Sequence, residues 1–426
     1  MPLSSRAAAR AAFQYPNFRF YMTARFLTVL STEMQAVAVA WQIYGLTHQP
    51  LDLGLVGLAQ FAPGVLLFLV AGHTADRVPR LRIIRTCYVA FSLCSALLLA
   101  LSLHGLVSVW PIYAVLLGNG VARAFNGPAG QAFLPLLVSE EHFPNAVTWS
   151  SSIFQAATVL GPTAGGVIYG LAQTPVPVYC CAAAGYLTAV LLVLRVRLES
   201  AVRPRAASTS VQVLEGLRYI WQNKLILGSI SLDLFAVLLG GAVALLPVYA
   251  RDILNAGTYG LGLLRSAPGA GAVLMALLLA YRPLRRRAGL TLFACVFGFG
   301  VFTVIFGVSH SIAISLVALA LLGACDMVSV IVRHTLVQLT TPDAMRGRVS
   351  AVNMLFIGAS NEVGQFESGM TAQWFGTVPA VVLGGLGTIA VVLLWSWMFP
   401  SLRRVDSMAP EPLLSSRTPE RRRTAL

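Results

Sequence analysis

Apolar residues run in long unbroken stretches along most of this chain, with polar positions confined to short intervals between them. The runs fall at about 18–45, 51–75, 82–104, 109–135, 145–172 and 176–195, and then at about 226–250, 257–280, 289–309, 311–337, 348–376 and 379–400. Each is long enough to cross roughly 30 Å of hydrocarbon at about 1.5 Å per residue. Twelve such runs predict an all-α polytopic membrane protein. The interval 197–224 is the one long internal break. In it Val211, Leu214, Leu217 and Trp221 recur at helical spacing among Glu215, Arg218 and Lys224, which predicts an amphipathic helix on the membrane surface. From about 401 a Pro-, Ser- and Arg-rich tail reads as disordered and held near anionic lipid.

The chain also repeats itself. Gly57-Leu58-Ala59-Gln60-Phe61-Ala62-Pro63-Gly64 recurs as Gly262-Leu263-Leu264-Arg265-Ser266-Ala267-Pro268-Gly269, an offset of 205. The same offset carries Arg77, Arg80 and Arg82 onto Arg282, Arg285 and Arg287, and an offset of 203 carries Gly161 and Gly166 onto Gly364 and Gly369. Two parallel six-helix halves explain the register: 1–196 and 225–400, joined by the loop 197–224 and followed by the tail 401–426. Parallel repeats of this kind build transporters whose substrate site lies between the halves near mid-membrane.

Composition narrows the class. Of 426 residues, 57% are hydrophobic and only 11% charged, and the mean hydropathy is +0.75; a soluble domain has roughly a quarter of its residues charged. A cytosolic enzyme, a disordered chain and a secreted disulfide scaffold are excluded. The net charge of +14 does not mark a nucleic-acid partner, because the arginines lie in bursts between apolar runs. Arg6, Arg10, Arg19, the Arg77–Arg85 cluster, Arg195 to Lys224, Arg282–Arg287, Arg346, Arg348 and the tail arginines fall on one face, and the opposite loops carry only Arg251, beside Asp252. By the positive-inside rule the rich face is cytoplasmic, with both termini there, in a membrane of the bacterial inner type. The run after Arg19 is too long and too polar for a cleaved signal. Cys87, Cys94, Cys180, Cys181, Cys295 and Cys325 lie in apolar runs at no metal or redox spacing, and His48, His104 and His310 fall at or near outer loops. No cofactor or metal is implied.

Two motifs carry more than topology. Gly72-His73-Thr74-Ala75-Asp76-Arg77-Val78-Pro79-Arg80-Leu81-Arg82 ends the second run. A helix C-terminus suits these arginines but not Asp76, which needs a partner such as the N-terminus of a helix from the other half. Gly161-Pro162-Thr163-Ala164-Gly165-Gly166 places a kinking proline among glycines that permit close packing across the interface between halves. The first resembles the loop between helices 2 and 3 of the major facilitator superfamily, and the second resembles that family's antiporter signature. Asn17-Phe18-Arg19, Leu214-Glu215-Gly216-Leu217-Arg218-Tyr219-Ile220 and Thr341-Pro342-Asp343-Ala344-Met345-Arg346-Gly347-Arg348-Val349 resemble its enterobactin-exporter and macrolide-efflux branch. The resemblance, over about 15–400, implies a twelve-helix fold. It also implies a cytoplasmic latch at Gly72, Asp76, Arg77, Arg80 and Arg82, and efflux associated with Gly161, Pro162, Gly165 and Gly166. Tyr281 stands where the first half has Asp76, so the second latch departs from the pattern.

Ionisable residues inside spans are costly and mark function. They are Arg25, Glu33, Arg123, Asp233, Arg265, Asp326, Glu362 and Glu367. In the family, helices 1, 4, 7 and 10 line the cavity, which makes Arg25, Arg123, Asp233 and Asp326 candidates for cavity or inner gate. Arg123 and Asp326 differ by 203, the repeat offset. Either they face each other across the cavity, or each pairs within its own half. Glu33 and Glu362 both lie about 22 Å from the inner surface. Desolvation there disfavours the charged form, so Glu33 first and Glu362 second are candidates for proton coupling, against a purely structural role.

The expected function is proton-coupled efflux of a small amphiphilic compound, such as a siderophore or hydrophobic drug, by a monomer in contact with lipid. An importer or uncoupled facilitator on the same fold is the alternative. A membrane enzyme or receptor would need a catalytic cluster that the short loops lack. Lys224 is the only lysine and lies outside any P-loop pattern, which removes ATP as the energy source.

Overall fold

The computed structural model describes residues 11–105, 107–197, 209–282 and 287–406. Arg6, Arg10, Arg285 and the tail from 407 lie outside the described residues, as do the side chains of Asp76 and Val211. Among the described residues there is no strand. Long helices occupy the predicted runs: α1 Pro16–Thr47, α2 Pro50–Leu66, α3 Phe68–Arg77, α4 Arg80–Leu103, α5 Trp110–Phe133, α6 Phe143–Ala172 and α7 Val176–Leu194. There follow α8 Thr209–Gln222, α9 Lys224–Leu239, α10 Gly257–Tyr281, α11 Ala288–Val308, α12 Ile312–Thr340, α13 Asp343–Phe375 and α14 Thr377–Met398. Proline in the first turn opens α1, α2, α5, α6 and α7, where its missing N–H costs nothing. Asn223 opens α9 by accepting from the backbone N–H groups of Leu225 and Ile226.

Seven segments, α4, α7, Lys224–Ile253, α10, α11, α12 and α14, are long and apolar enough by composition to cross a membrane. Of the rest, α2 is apolar but shorter, and α1, α5 and α13 carry charges inside their spans, Glu33, Arg123 and Glu362 among them. Two predicted spans are not continuous helices. The second breaks at Leu67, just after Pro63-Gly64, into α2 and α3. The seventh leaves helical geometry at Gly240-Gly241 and continues in short turns through Ala242–Leu245, Leu246–Val248 and a π turn at Tyr249–Ile253.

Packing divides the helices into two groups. In the first, α1 packs on α6 and α7, α4 on α5 and α7, and α2 on α5; in the second, α10 and α11 pack on α12, α11 on α14, and α9 on α13 and α14. The groups meet chiefly where α2 crosses α13 and α6 crosses α10. Both crossings are glycine contacts. A Cβ on Gly166 would sit 2.8 Å from Gly262 Cα, and one on Gly369 would sit 2.9 Å from Gly54 Cα. Only backbones without side chains can approach this closely. The helix α8 lies against the start of α13: Gly216 abuts the Arg348 carbonyl, Glu215 pairs with Arg348 at 2.6 Å, and Ile220 is buried. Its apolar stripe, Leu214, Leu217 and Trp221, stays exposed, as an amphipathic surface helix requires.

One apolar cluster joins the groups. Val37, Ala40, Tyr44 and Leu53 pack with Leu245, Leu246, Tyr249 and Leu261 at the end that carries few arginines. At the arginine-rich end each cluster belongs to one group only: Phe18, Tyr88, Phe133 and Tyr186 in the first, and Leu232, Val332, Ile226 and Val349 in the second. The apolar seal between the groups therefore lies at the arginine-poor end.

Candidate transport site

Between the seal and the arginine-rich end, four charged side chains meet from four helices. Glu33 of α1 reaches Arg265 of α10 at 3.9 Å, and Arg123 of α5 reaches Glu362 of α13 at 3.8 Å. Arg265 and Glu33 also act electrostatically on Glu362, so the two pairs form one cluster. Each pair joins the first group to the second. Gln60 accepts from Arg123 Nη1 at 2.9 Å, and Gln365 Nε2 donates to Glu362 at 3.3 Å. Arg123 keeps 46% of its side chain exposed while Glu362 keeps 17%, so the guanidinium stands in the opening and its partner in the wall.

The helices are placed for this by glycine. A Cβ at Gly161 would lie 2.5 Å from Glu33 Cβ, one at Gly165 would lie 2.8 Å from the Met34 carbonyl, and one at Gly57 would lie 3.2 Å from Glu362 Oε2. Of the motif's three glycines only Gly166 packs across the interface, beside Thr163, whose hydroxyl meets the Ser266 hydroxyl at 2.8 Å. Gly161 and Gly165 admit α1 within the first half, while the Pro162 carbonyl lies where a Cβ on Gly262 would sit.

Other candidates go elsewhere. Arg123 and Asp326 do not form the pair that their register suggested: Arg123 is engaged by Gln60 and Glu362, whereas Asp326 lines a small cavity with Asp233, Cys295 and Cys325. Asp233 pairs with Arg333, a residue 2% exposed that the sequence reading passed over although it lies inside the run 311–337. Arg25 donates to Ser150 of α6 at 2.6 Å, a contact within the first half, and Glu367 accepts from Thr371 one turn along α13 at 2.8 Å. In the loop motif, Arg80 donates to the Ala132 carbonyl at 3.0 Å, and nearby Arg85 donates to the carbonyls of Val193, Leu194 and Val196. Those are the C-terminal ends of α5 and α7, where cations are favoured. Arg82 lines an apolar groove with Val78 and Phe125, Gly72 and Arg77 lie in the last turns of α3, and α3 packs on α8. Tyr281 is 86% exposed.

At the arginine-poor end the Tyr44 hydroxyl donates to Asp252, and the Arg251 guanidinium sits 5.8 Å above the Trp41 ring. Both contacts tie α1 to the segment before α10.

Residues 7–423 match the family described as transmembrane secretion effector. The chain belongs to that family. This secretion-effector chain is a membrane transporter of the major facilitator type. It is 26% identical to the enterobactin exporter EntS of Citrobacter koseri over 407 residues, covering 93% of this chain and 95% of that one, and equally identical to EntS of Shigella boydii over 403 residues. Among solved structures it is similar to a POT family transporter in complex with 5-aminolevulinic acid, with TM-score 0.73, 10% identity, and 91% and 97% of the two chains covered. It is similar too to a bacterial homologue of the lysosomal transporter Spinster in an inward-facing, unoccupied conformation, with TM-score 0.66, 13% identity, and 94% and 97% covered. These structural likenesses bear on the fold.

Proposed function

We propose that this transporter exports a small amphiphilic organic compound, a siderophore or hydrophobic drug, from the bacterial cytoplasm in exchange for protons. What carries the reading is the four-charge cluster, because both of its acid–base pairs cross from one half to the other. An ionised Glu33 or Glu362 holds the halves together through Arg265 or Arg123. A protonated one releases them, since the neutral acid gives up its Coulomb attraction to the guanidinium. Proton occupancy therefore biases the rocking that opens the site to either side. The exporter relatives support the direction and the substrate class, and the arginine bias supports cytoplasmic termini. With that orientation the seal faces outward and the open end faces the cytoplasm, from which a substrate to be exported enters.

The test uses the full chain in liposomes loaded with labelled enterobactin, alongside a panel of hydrophobic drugs. A pH difference is expected to drive net efflux against the gradient, and Glu33→Gln to abolish it while counterflow continues. Glu33→Gln with full pH-driven efflux would remove that residue from the coupling. Wild-type flux indifferent to dissipation of the proton gradient would favour an uncoupled facilitator instead.

A further inference from the structure

A second set of polar groups lies inside the second half, away from the cross-half cluster: Asp233, Ser329 and Arg333 are buried and Asp326 is half-buried. Asp326, Ser329 and Arg333 recur at i, i+3 and i+7 and so share one face of α12. They look toward α9 and α11, and the space between holds a cavity of ≈ 10 Å³ lined by Asp233, Cys295, Phe299, Cys325, Asp326 and Ser329. A volume of that size is at the threshold for a single water. Arg333 is 2% exposed and bound to Asp233, itself 7% exposed. Ser329 is 3% exposed, lines the cavity, and its Oγ has no hydrogen-bond partner.

The charges do not balance. Arg333 and Asp233 neutralise each other, which leaves the second carboxyl, Asp326, with no cation at ion-pair distance among the described residues. The groups that face it are few. From α9 there is Asp233; from α11, Cys295; on α12 itself, Cys325, Ser329 and Arg333. Packed on α12 through Gly271 and Gly323, α10 carries Arg265 as its one charged residue, and that side chain turns to Glu33. An unpaired carboxylate in such a place is far costlier than a neutral acid.

We infer that Asp326 is a second proton-carrying site, holding a proton on its carboxyl in this state and facing Ser329 Oγ or one water in the cavity. The ligand is the proton, delivered by hydronium and returned to water. One guanidinium between two acids makes the site switchable. While Arg333 stays on Asp233, Asp326 keeps the proton. When helix movement lets Arg333 turn to Asp326, that carboxyl ionises and its proton passes to water, and Asp233, left without its cation, takes one proton from hydronium. The inference rests on proton exchange as the transport mode, but its structural core is independent of Glu33 and Glu362.

The experiment is infrared difference spectroscopy on the full-length protein in lipid at neutral pH, in H₂O and D₂O. Wild type should show a deuterium-sensitive carboxylic-acid carbonyl band that Asp326→Asn lacks. Asp233→Asn should lose the same band, because Arg333 then has only Asp326 to pair with. Glu33→Gln should keep that component. In liposomes, Asp326→Asn should cut pH-driven enterobactin efflux at least tenfold and leave counterflow within about twofold. An unchanged band in Asp326→Asn, or a band surviving Asp233→Asn, overturns the assignment, as does full pH-driven efflux by Asp326→Asn. Wild-type efflux indifferent to pH would instead remove the proton-exchange reading and leave the band to report on the site alone.

Discussion

At Gly161 the sequence motif and the charge cluster touch. A Cβ there would sit 2.5 Å from Glu33 Cβ and 3.0 Å from the Leu30 carbonyl, backbone that cannot swing aside as a side chain could. Gly161→Ala should therefore push α1 from α6 and carry Glu33 away from Arg265. Overpacking of this kind costs about 1–3 kcal/mol. The expected outcome is a lower melting temperature in detergent together with reduced pH-driven efflux. Gly127→Ala, where a Cβ meets nothing within 4 Å, supplies the comparison, and equal melting of the two variants would deny Gly161 this role. The motif made Gly161 legible in the sequence, and a charge inside a span made Glu33 legible. Gln60 and Gln365 were not, since a neutral amide in a helix carries no penalty large enough to stand out. Arg333 did carry such a penalty, and its place inside an apolar run was signal enough to find it.

Elements were readable where hydrophobicity alone decides them and less so where backbone chemistry intervenes. The apolar runs became helices close to their predicted bounds, yet Pro63-Gly64 precedes a break at Leu67, and Gly240-Gly241 turns the end of the seventh run into short turns and a π turn. Those irregular turns present Arg251 and Asp252 to Trp41 and Tyr44 of α1, so these two charged residues close the bundle at the arginine-poor face. Hydrophobic contact supplies most of that seal, and the polar contacts fix its register. Tyr44→Phe combined with Arg251→Ala should then shift the population toward the form open at this end, by the few-fold that lost differential contacts permit. Spin labels at Thr47 and Asn255 should report longer distances in the variant. Unchanged distance distributions would leave the seal to the apolar cluster alone.

The whole molecule explains why register misled about Arg123 and Asp326. An axis between two parallel halves puts equivalent residues at equal depth, but they touch only if both lie on that axis. The α5 face bearing Arg123 turns to α2 and α13, while the α12 face bearing Asp326 turns inward to α9 and α11. Contacts between halves come instead from inequivalent positions, and the duplicated positions have diverged: Gln60 occupies the repeat position of Arg265, so the first copy receives a hydrogen bond where the second supplies a charge. A bundle joined through unlike residues can be tested by exchanging them. Arg123→Glu or Glu362→Arg alone places two like charges together across the opening and should cost more than tenfold in pH-driven efflux. The double exchange should recover part of it, because residues in direct contact are not additive. Arg123→Asp with Asp326→Arg should recover nothing, since those side chains belong to different environments. Rescue by the second combination rather than the first would mean that the halves face each other by repeat register, and the cross-half cluster would lose its place in coupling.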